Sequence, residues 1–159
     1  MKLRSIKFKS VKSTNDIAHM LINQKKIRPT IIVSEKQTKG RGTMGKKWIS
    51  KKGNLFLTIF FDISKMNIDF KKFAVLNAYF IKSILIKKFS NKIKIKWPND
   101  LILERKKICG ILQETVINDG KKFLIVGIGI NTNVNPKKSH FLSTSLKKIT
   151  NKNIDNKKL

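Results

Sequence analysis

Residues 3–12, LRSIKFKSVK, alternate apolar and basic side chains, the pattern of a half-buried strand. Ser13-Thr14-Asn15-Asp16 then reads as a helix start, with Ser13 as cap and Asp16 three residues on as the second half of a capping box. Ile17, Met20, Leu21 and Gln24 carry that helix forward. Pro29 restarts the chain, and TIIVS (30–34) predicts a buried strand. A glycine-bearing loop over 36–53 separates it from NLFLTIFFDI (54–63), a strong strand. Over 70–89, Phe73, Ala74, Leu76, Phe80, Ile81, Ile84 and Leu85 have the spacing of an amphipathic helix facing a core. KIKIKW (92–97) alternates strictly, Pro98-Asn99-Asp100 turns it, and LILE (101–104) with KICGILQETVI (107–117) predicts a hairpin. Asn118-Asp119-Gly120 turns the chain again into KFLIVGIGIN (122–131). From Asn133 the tail is polar and poorly patterned. Runs of strands with two helices predict one α+β domain built on a largely antiparallel sheet.

Composition alters this picture little. No apolar run reaches the roughly 18 residues needed to span a bilayer, and MKLRSIKFKSVKS has no apolar signal core, so a cytoplasmic chain is expected, with no membrane partner. One cysteine, Cys109, and two distant histidines, His19 and His140, give no disulfide and no clustered metal ligands. The histidines are expected at the surface and Cys109 inside a strand. The net charge of +27 invites a polyanion partner, yet 32 of the 36 bases are lysines. Arginine, the residue of bidentate phosphate and base contacts, occurs only at positions 4, 28, 41 and 105. No aromatics interleave with the charges as a stacking platform requires. A solvated lysine surface is the expectation.

One of those arginines lies in GRGTMGKK (40–47), which fits two phosphate-binding patterns at once. G-x-G-x-x-G is the dinucleotide fingerprint, and G-x-x-x-x-G-K is a P-loop lacking its final Ser/Thr. Both need a helix immediately after the loop, and only KKWISKKG (46–53) separates it from the next strand. Neither pattern is expected to hold. The loop's own chemistry is different: glycines expose backbone N–H groups, Arg41 forks onto an anion, and Trp48 offers a flat face. KWPND (96–100) sets a carboxylate at a turn, and the hairpin brings Asp100 near Lys107; taken alone, this could equally be a charged hairpin with a buried tryptophan. Gly127 and Gly129 inside an apolar strand predict the close approach of another group.

In order and spacing, Ser13-Thr14-Asn15, EKQTKGRGTMGKKW (35–48), GNLFL (53–57), KWPND, KKICGILQE (106–114), VGIGIN (126–131) and Thr144-Ser145-Leu146 resemble biotin–protein ligases. The resemblance covers residues 5–146 and implies a mixed sheet flanked by helices, related to lipoate ligases and class II aminoacyl-tRNA synthetases. It implies activation of biotin by ATP with Mg²⁺ to biotinyl-5′-AMP, then transfer to one lysine of a biotin carboxyl carrier protein. It further implies that Arg41 and Lys107 neutralise the reacting anions and that Asp100 orients the acceptor amine. Ser13, Thr14, Asn15, Gln37, Gly40, Gly110, Leu112 and Gly129 would surround biotin together with Arg41 and Lys107. Gly42, Thr43, Trp48, Asn99 and Asn131 would join Arg41 and Lys107 on the nucleotide side.

Thr43 stands where many members of that family have a second loop arginine, which implies looser retention of the adenylate. Residues 1–159 are expected to be the catalytic domain alone. The N-terminal winged helix of the bifunctional members is expected to be missing, so no DNA partner is expected, and the C-terminal SH3-like domain to be absent or truncated. The alternatives are a lipoate or octanoate ligase on the same scaffold, a truncated ligase without activity and, from another class, a basic nucleic-acid-binding module, which salt-dependent DNA binding would reveal.

Overall fold

A computed structural model describes residues 3–67, 69–136 and 142–159. Its centre is a seven-stranded sheet, formed by β1 (Arg4–Phe8), β2 (Thr30–Ser34), β3 (Leu55–Asp62), β4 (Lys94–Lys96), β5 (Asp100–Leu103), β6 (Lys106–Asn118) and β7 (Lys121–Ile130). The strands lie in the order β1-β2-β3-β7-β6-β5-β4. Only β1 and β2 are parallel; the remaining pairs are antiparallel. A parallel pair needs a crossover, supplied here by α1 (Thr14–Asn23). The mixed, largely antiparallel α+β architecture is the one expected.

Side-chain alternation divides the sheet into two faces. Leu57, Ile111, Leu124, Val126 and Ile128 face α2 (Phe70–Lys88) and pack with its Phe73, Ala78 and Leu85. On the opposite face Ile32, Phe60, Phe123 and Ile125 pack with Ala18, Leu21 and Ile22 of α1. Phe56, Phe60 and Phe123 are fully buried, each contributing on the order of 1.5–3 kcal/mol. The α1 face carries three rows of register partners: Phe56–Gly129–Gly110–Asp100, Thr58–Gly127–Leu112 and Phe60–Ile125–Glu114. Their small and polar members lie beyond the N-terminal end of α1, where the apolar layer gives way to a cavity.

Three expectations need correction. Three of the seven predicted apolar-face residues of α2 are solvent-facing: Leu76, Phe80 and Ile84 are exposed, as are Val75 and Tyr79 beside them. The helix is apolar around more of its circumference than one sheet face covers. The tail is also not patternless. Ser145 caps a short α3 (Leu146–Thr150) by accepting from Lys148 N, and the chain beyond it docks on the core. There Asn133 exchanges two hydrogen bonds with the Ile154 backbone, at 2.9 and 2.7 Å, and Asn156 donates to Gly53 O. Finally, Trp97 is 77% exposed, which removes the hairpin reading with a buried tryptophan.

Candidate active site

The site grows from the first turn of α1. Ser13 occupies the N-cap, but its side chain makes no capping hydrogen bond. The Thr14 N–H instead donates to Gln37 Oε1 at 2.8 Å, satisfying one of the orphan donors of a helix start. Gln37 is brought there because Val11 and Gln37 form a parallel bridge that prolongs the β1–β2 pairing. Asp16 does not complete a capping box; its carboxylate lies 2.9 Å from Arg41 Nη2.

The glycine loop is a small hairpin. Trp48 N donates to Gly40 O, Gly42 N donates to Lys46 O, and Arg41 bridges Lys47. A single 3₁₀ turn at Thr43–Gly45 forms its tip, with Met44 and Gly45 at positive φ. The chain then enters β3 with no intervening helix, which excludes both phosphate-loop patterns as expected. Gly40 is required by close approach: a Cβ there would meet Trp48 O at 2.6 Å and Ser50 Oγ at 2.7 Å.

The hairpin lays Trp48 on the bare part of the sheet. Gly110 and Gly129 face each other across β6 and β7. A Cβ on either would stand 2.5–2.6 Å from the indole. The interrupted strand glycines thus admit close approach, as their position predicts, and the approaching group is the indole itself. Its Nε1 is buried without a hydrogen-bond partner among the described residues. Lys107 Nζ lies 5.3 Å from the ring centroid, within cation–π range.

Lys107 reaches this face through a register shift. Leu101 pairs with Cys109 but Ile102 pairs with Lys107, so Ile108 is an extra residue in β6. The bulge turns Lys107 to the side occupied by Asp100 and Gly110. Its Nζ lies 2.6 Å from Asp100 Oδ1, and both side chains are mostly buried. Asn99 Nδ2 donates to Ile111 O and braces the same corner. Asn131 is buried beneath and accepts from Asn54.

Three partners not foreseen from the sequence, Glu114, Thr58 and His19, complete the site, and Gly127 admits the close approach its position predicts. Glu114 Oε2 accepts from Asn15 Nδ2 at 2.6 Å, and the carboxylate takes both Arg41 terminal nitrogens at 2.8 and 3.2 Å. Thr58, fully buried, lies 2.6 Å from Asn15 Oδ1 and 2.8 Å from Thr14 Oγ1. Gly127 leaves the space that Asn15 Oδ1 occupies. His19, expected as a plain surface residue, places Nε2 3.5 Å from Glu114 Oε2; His140 lies outside the described residues. Burial alone would raise the Glu114 pKa. The hydrogen bonds from Asn15 and Arg41, with the charges of Arg41 and His19, outweigh it and hold the carboxyl below its ordinary value. The signals were present: an acid inside an apolar strand of a base-rich chain, and a threonine in phase with Phe56 and Phe60.

The cavity measures about 570 Å³. The expected residues Ser13, Thr14, Asn15, Gln37, Arg41, Gly42, Thr43 and Trp48 line it, and so do Asn99, Asp100, Lys107, Gly110, Leu112, Gly129 and Asn131. Gly40 does not line it but supports the hairpin from behind. Among the described residues no group of three or more His, Cys, Asp or Glu side chains can hold a metal ion, and no helix is long and apolar enough to cross a membrane.

The site thus joins a cation and a carboxylate on a glycine floor of a mixed sheet, a polar helix start at one rim and a glycine hairpin above. Residues 7–133 match the biotin/lipoate A/B protein ligase family, and the chain belongs to it. The bifunctional ligase/repressor BirA of Bacillus spizizenii is 32% identical over 154 residues, covering 91% of this chain and 46% of that protein. The biotin protein ligase from Aquifex aeolicus, solved in complex with biotin and ATP, superposes with a TM-score of 0.82 at 30% identity, covering 98% of this chain and 64% of the other. The Leishmania major enzyme in complex with biotinyl-5-AMP gives 0.79 at 25% identity, over 98% and 69% of the two chains. The chain spans about half the length of the curated relatives it matches.

Proposed function

We propose that this chain activates biotin with MgATP to biotinyl-5′-AMP and passes the biotinyl group to a lysine of a biotin carboxyl carrier protein. The observation that carries the reading is the Lys107–Asp100 pair on the Gly110–Gly129 floor, in one cavity with the polar start of α1. Relatives of the same fold hold biotin with ATP, and biotinyl-5-AMP.

The chemistry asks two anions to meet, a carboxylate attacking the α-phosphate as the α–β phosphoanhydride bond breaks and pyrophosphate leaves; AMP leaves in turn when the carrier amine takes the acyl group. Lys107 supplies a cation at the floor and Arg41 a second from the hairpin. Both are already neutralised within the protein, Lys107 by Asp100 and Arg41 by Asp16 and Glu114. Substrate anions would replace Asp100 at Lys107 and Asp16 at Arg41, while Glu114 keeps its hold on Arg41, so binding exchanges one ion pair for another instead of burying a lone charge. When Lys107 turns to the substrate, Asp100 is released to orient the incoming amine of the carrier. Mg²⁺ fits this site as part of the nucleotide substrate, since the described residues offer no carboxylate cluster and phosphates are its usual ligands.

The test is incubation with MgATP and either biotin or lipoate, followed by mass spectrometry for the acyl-adenylate and then for acylation of a carrier domain. Biotinyl-adenylate from biotin alone is expected. Lipoyl-adenylate in its place would move the chain to the lipoate side of the family, and no adenylate from folded protein would overturn both.

A further inference from the structure

Asn15, Thr58, Thr14 and Gln37 form a continuous hydrogen-bonded row at the cavity rim, and one end of that row abuts Glu114. The direction of each bond can be worked out. A carboxylate only accepts, so the amide group facing Glu114 is Asn15 Nδ2, and Oδ1 is turned toward Thr58. Asn15 Oδ1 has no hydrogen, so the Thr58 hydroxyl donates across the 2.6 Å contact. Thr58 has then used its one hydrogen. Across the 2.8 Å contact to Thr14 it can only accept. The Thr14 hydrogen therefore goes to Thr58 Oγ1 or to Gln37 Oε1, 3.1 Å away, and in either case stays inside the protein. Gln37 is fixed independently, because its Oε1 takes the Thr14 N–H and its Nε2 donates to Ser50 Oγ at 3.0 Å. What Thr14 has left for a ligand in the cavity is a lone pair.

We propose that Glu114 is a positioning residue that sets the hydrogen-bond polarity of this rim, through Asn15 and Thr58, so that Thr14 accepts from a ring N–H of the bound acid. The inference rests on the biotin reading and deepens it. A cyclic urea carries ring N–H donors that satisfy such an acceptor. A dithiolane or a plain alkyl chain carries none and would leave the Thr14 lone pair buried without a partner, a cost of the kind that discriminates strongly between substrates. Arg41 keeps the arrangement one-way by pairing with Glu114 from the hairpin, and His19 faces the same carboxylate from α1. Gly127 is the other half of the device, since any side chain there would drive Asn15 off its acceptor position.

The experiment is calorimetric titration of wild type, Glu114→Gln, Thr58→Val and Thr58→Ser with biotin, desthiobiotin, lipoate and ATP. Glutamine keeps the size of Glu114 but can face Asn15 with an oxygen or an NH₂, so the row loses its fixed direction. Expected are about tenfold weaker biotin and desthiobiotin binding in Glu114→Gln with no loss of ATP affinity, a similar loss in Thr58→Val, and recovery in Thr58→Ser. In the ligand-free protein, the Asn15 side-chain NH₂ resonance, assigned with Asn15→Ala, should shift in Glu114→Gln. Unchanged biotin affinity in a folded Glu114→Gln overturns the proposal, and so does an equal loss for biotin and ATP. Should Glu114→Gln not fold, the Thr58→Val and Thr58→Ser comparison decides alone. If wild type binds neither urea, the biotin reading falls; the Asn15 resonance then judges the polarity by itself, a shift upholding it and no shift ending it.

Discussion

Lys107 Nζ and Asp100 Oδ1 sit 2.6 Å apart on neighbouring strands, brought to one face by the extra residue Ile108. On the proposed function the two charges would serve different half-reactions, so they should separate kinetically. Lys107→Met is expected to lower biotin-dependent adenylate formation by roughly 10²–10³, the usual cost of removing a charge that stabilises a developing anion. Asp100→Asn should leave adenylate formation largely intact and slow transfer to the carrier. Single-turnover assays of each step check this, and equal losses in both steps from Asp100→Asn would contradict the assignment.

Glu114 ties stability to pH. Its carboxyl is held below the ordinary value in the folded chain. A group whose pKa falls on folding stabilises above its unfolded pKa, and that contribution disappears as pH drops through the folded value. The urea midpoint should therefore decline as pH falls from about 5 to about 3. In Glu114→Gln that part of the decline should be absent, although the remaining carboxylates still titrate. Superimposable pH profiles would show that the clasp around Arg41 contributes nothing.

Gly129→Ala tests the seat of the indole. The added methyl would stand 2.5 Å from Trp48 Cε2 and Nε1, so either the ring or the strand must shift. Overpacking of this kind costs about 1–3 kcal/mol. In a Trp97→Phe background, which leaves Trp48 as the reporter, the emission should move to the red and the melting temperature should fall.

Cys109 should be chemically silent. It is fully buried in β6, and burial pushes its thiol pKa well above the ordinary range. Iodoacetamide is expected to leave the native protein unmodified at neutral pH and to label it fully in denaturant. Rapid native labelling would mean that β6 opens locally.

Much of this was legible because apolar patterning is local to each strand. Residues 3–12 and 92–97 alternate, TIIVS and NLFLTIFFDI are near-continuous apolar runs, and all seven strands fall within or within a residue of the segments so predicted. The Ser13–Asn15, Gln37, Arg41, Trp48, Asp100 and Lys107 positions also converge on one cavity. What escaped depends on partners distant in sequence. Asn15 meets Glu114 across 99 residues, and no local pattern reports that. Asp16 read as a capping residue because capping is the local use of an acid at that spacing; the hairpin arginine outcompeted it. On α2 the 3.6-residue period identified the helix, but it could not tell which of two apolar stripes the sheet would cover, and Leu76, Phe80 and Ile84 lie on the uncovered one. The short α3 is held by the Ser145 cap and by Asn133, not by an apolar repeat.

Gly110 and Gly129 project no side chain of their own into the cavity; the Trp48 indole of the hairpin covers them instead. On the proposed function, choice of guest would fall to the edge of the cavity, to a handful of positions in two short stretches, 13–15 and 37–48, with Thr58 and Glu114 behind them. The scaffold works as a common socket and the edge as its exchangeable key. Retuning this protein for another ring would then be a matter of rewriting Thr14, Asn15 and Gln37 and the residues that orient them, while the strands beneath stay as they are.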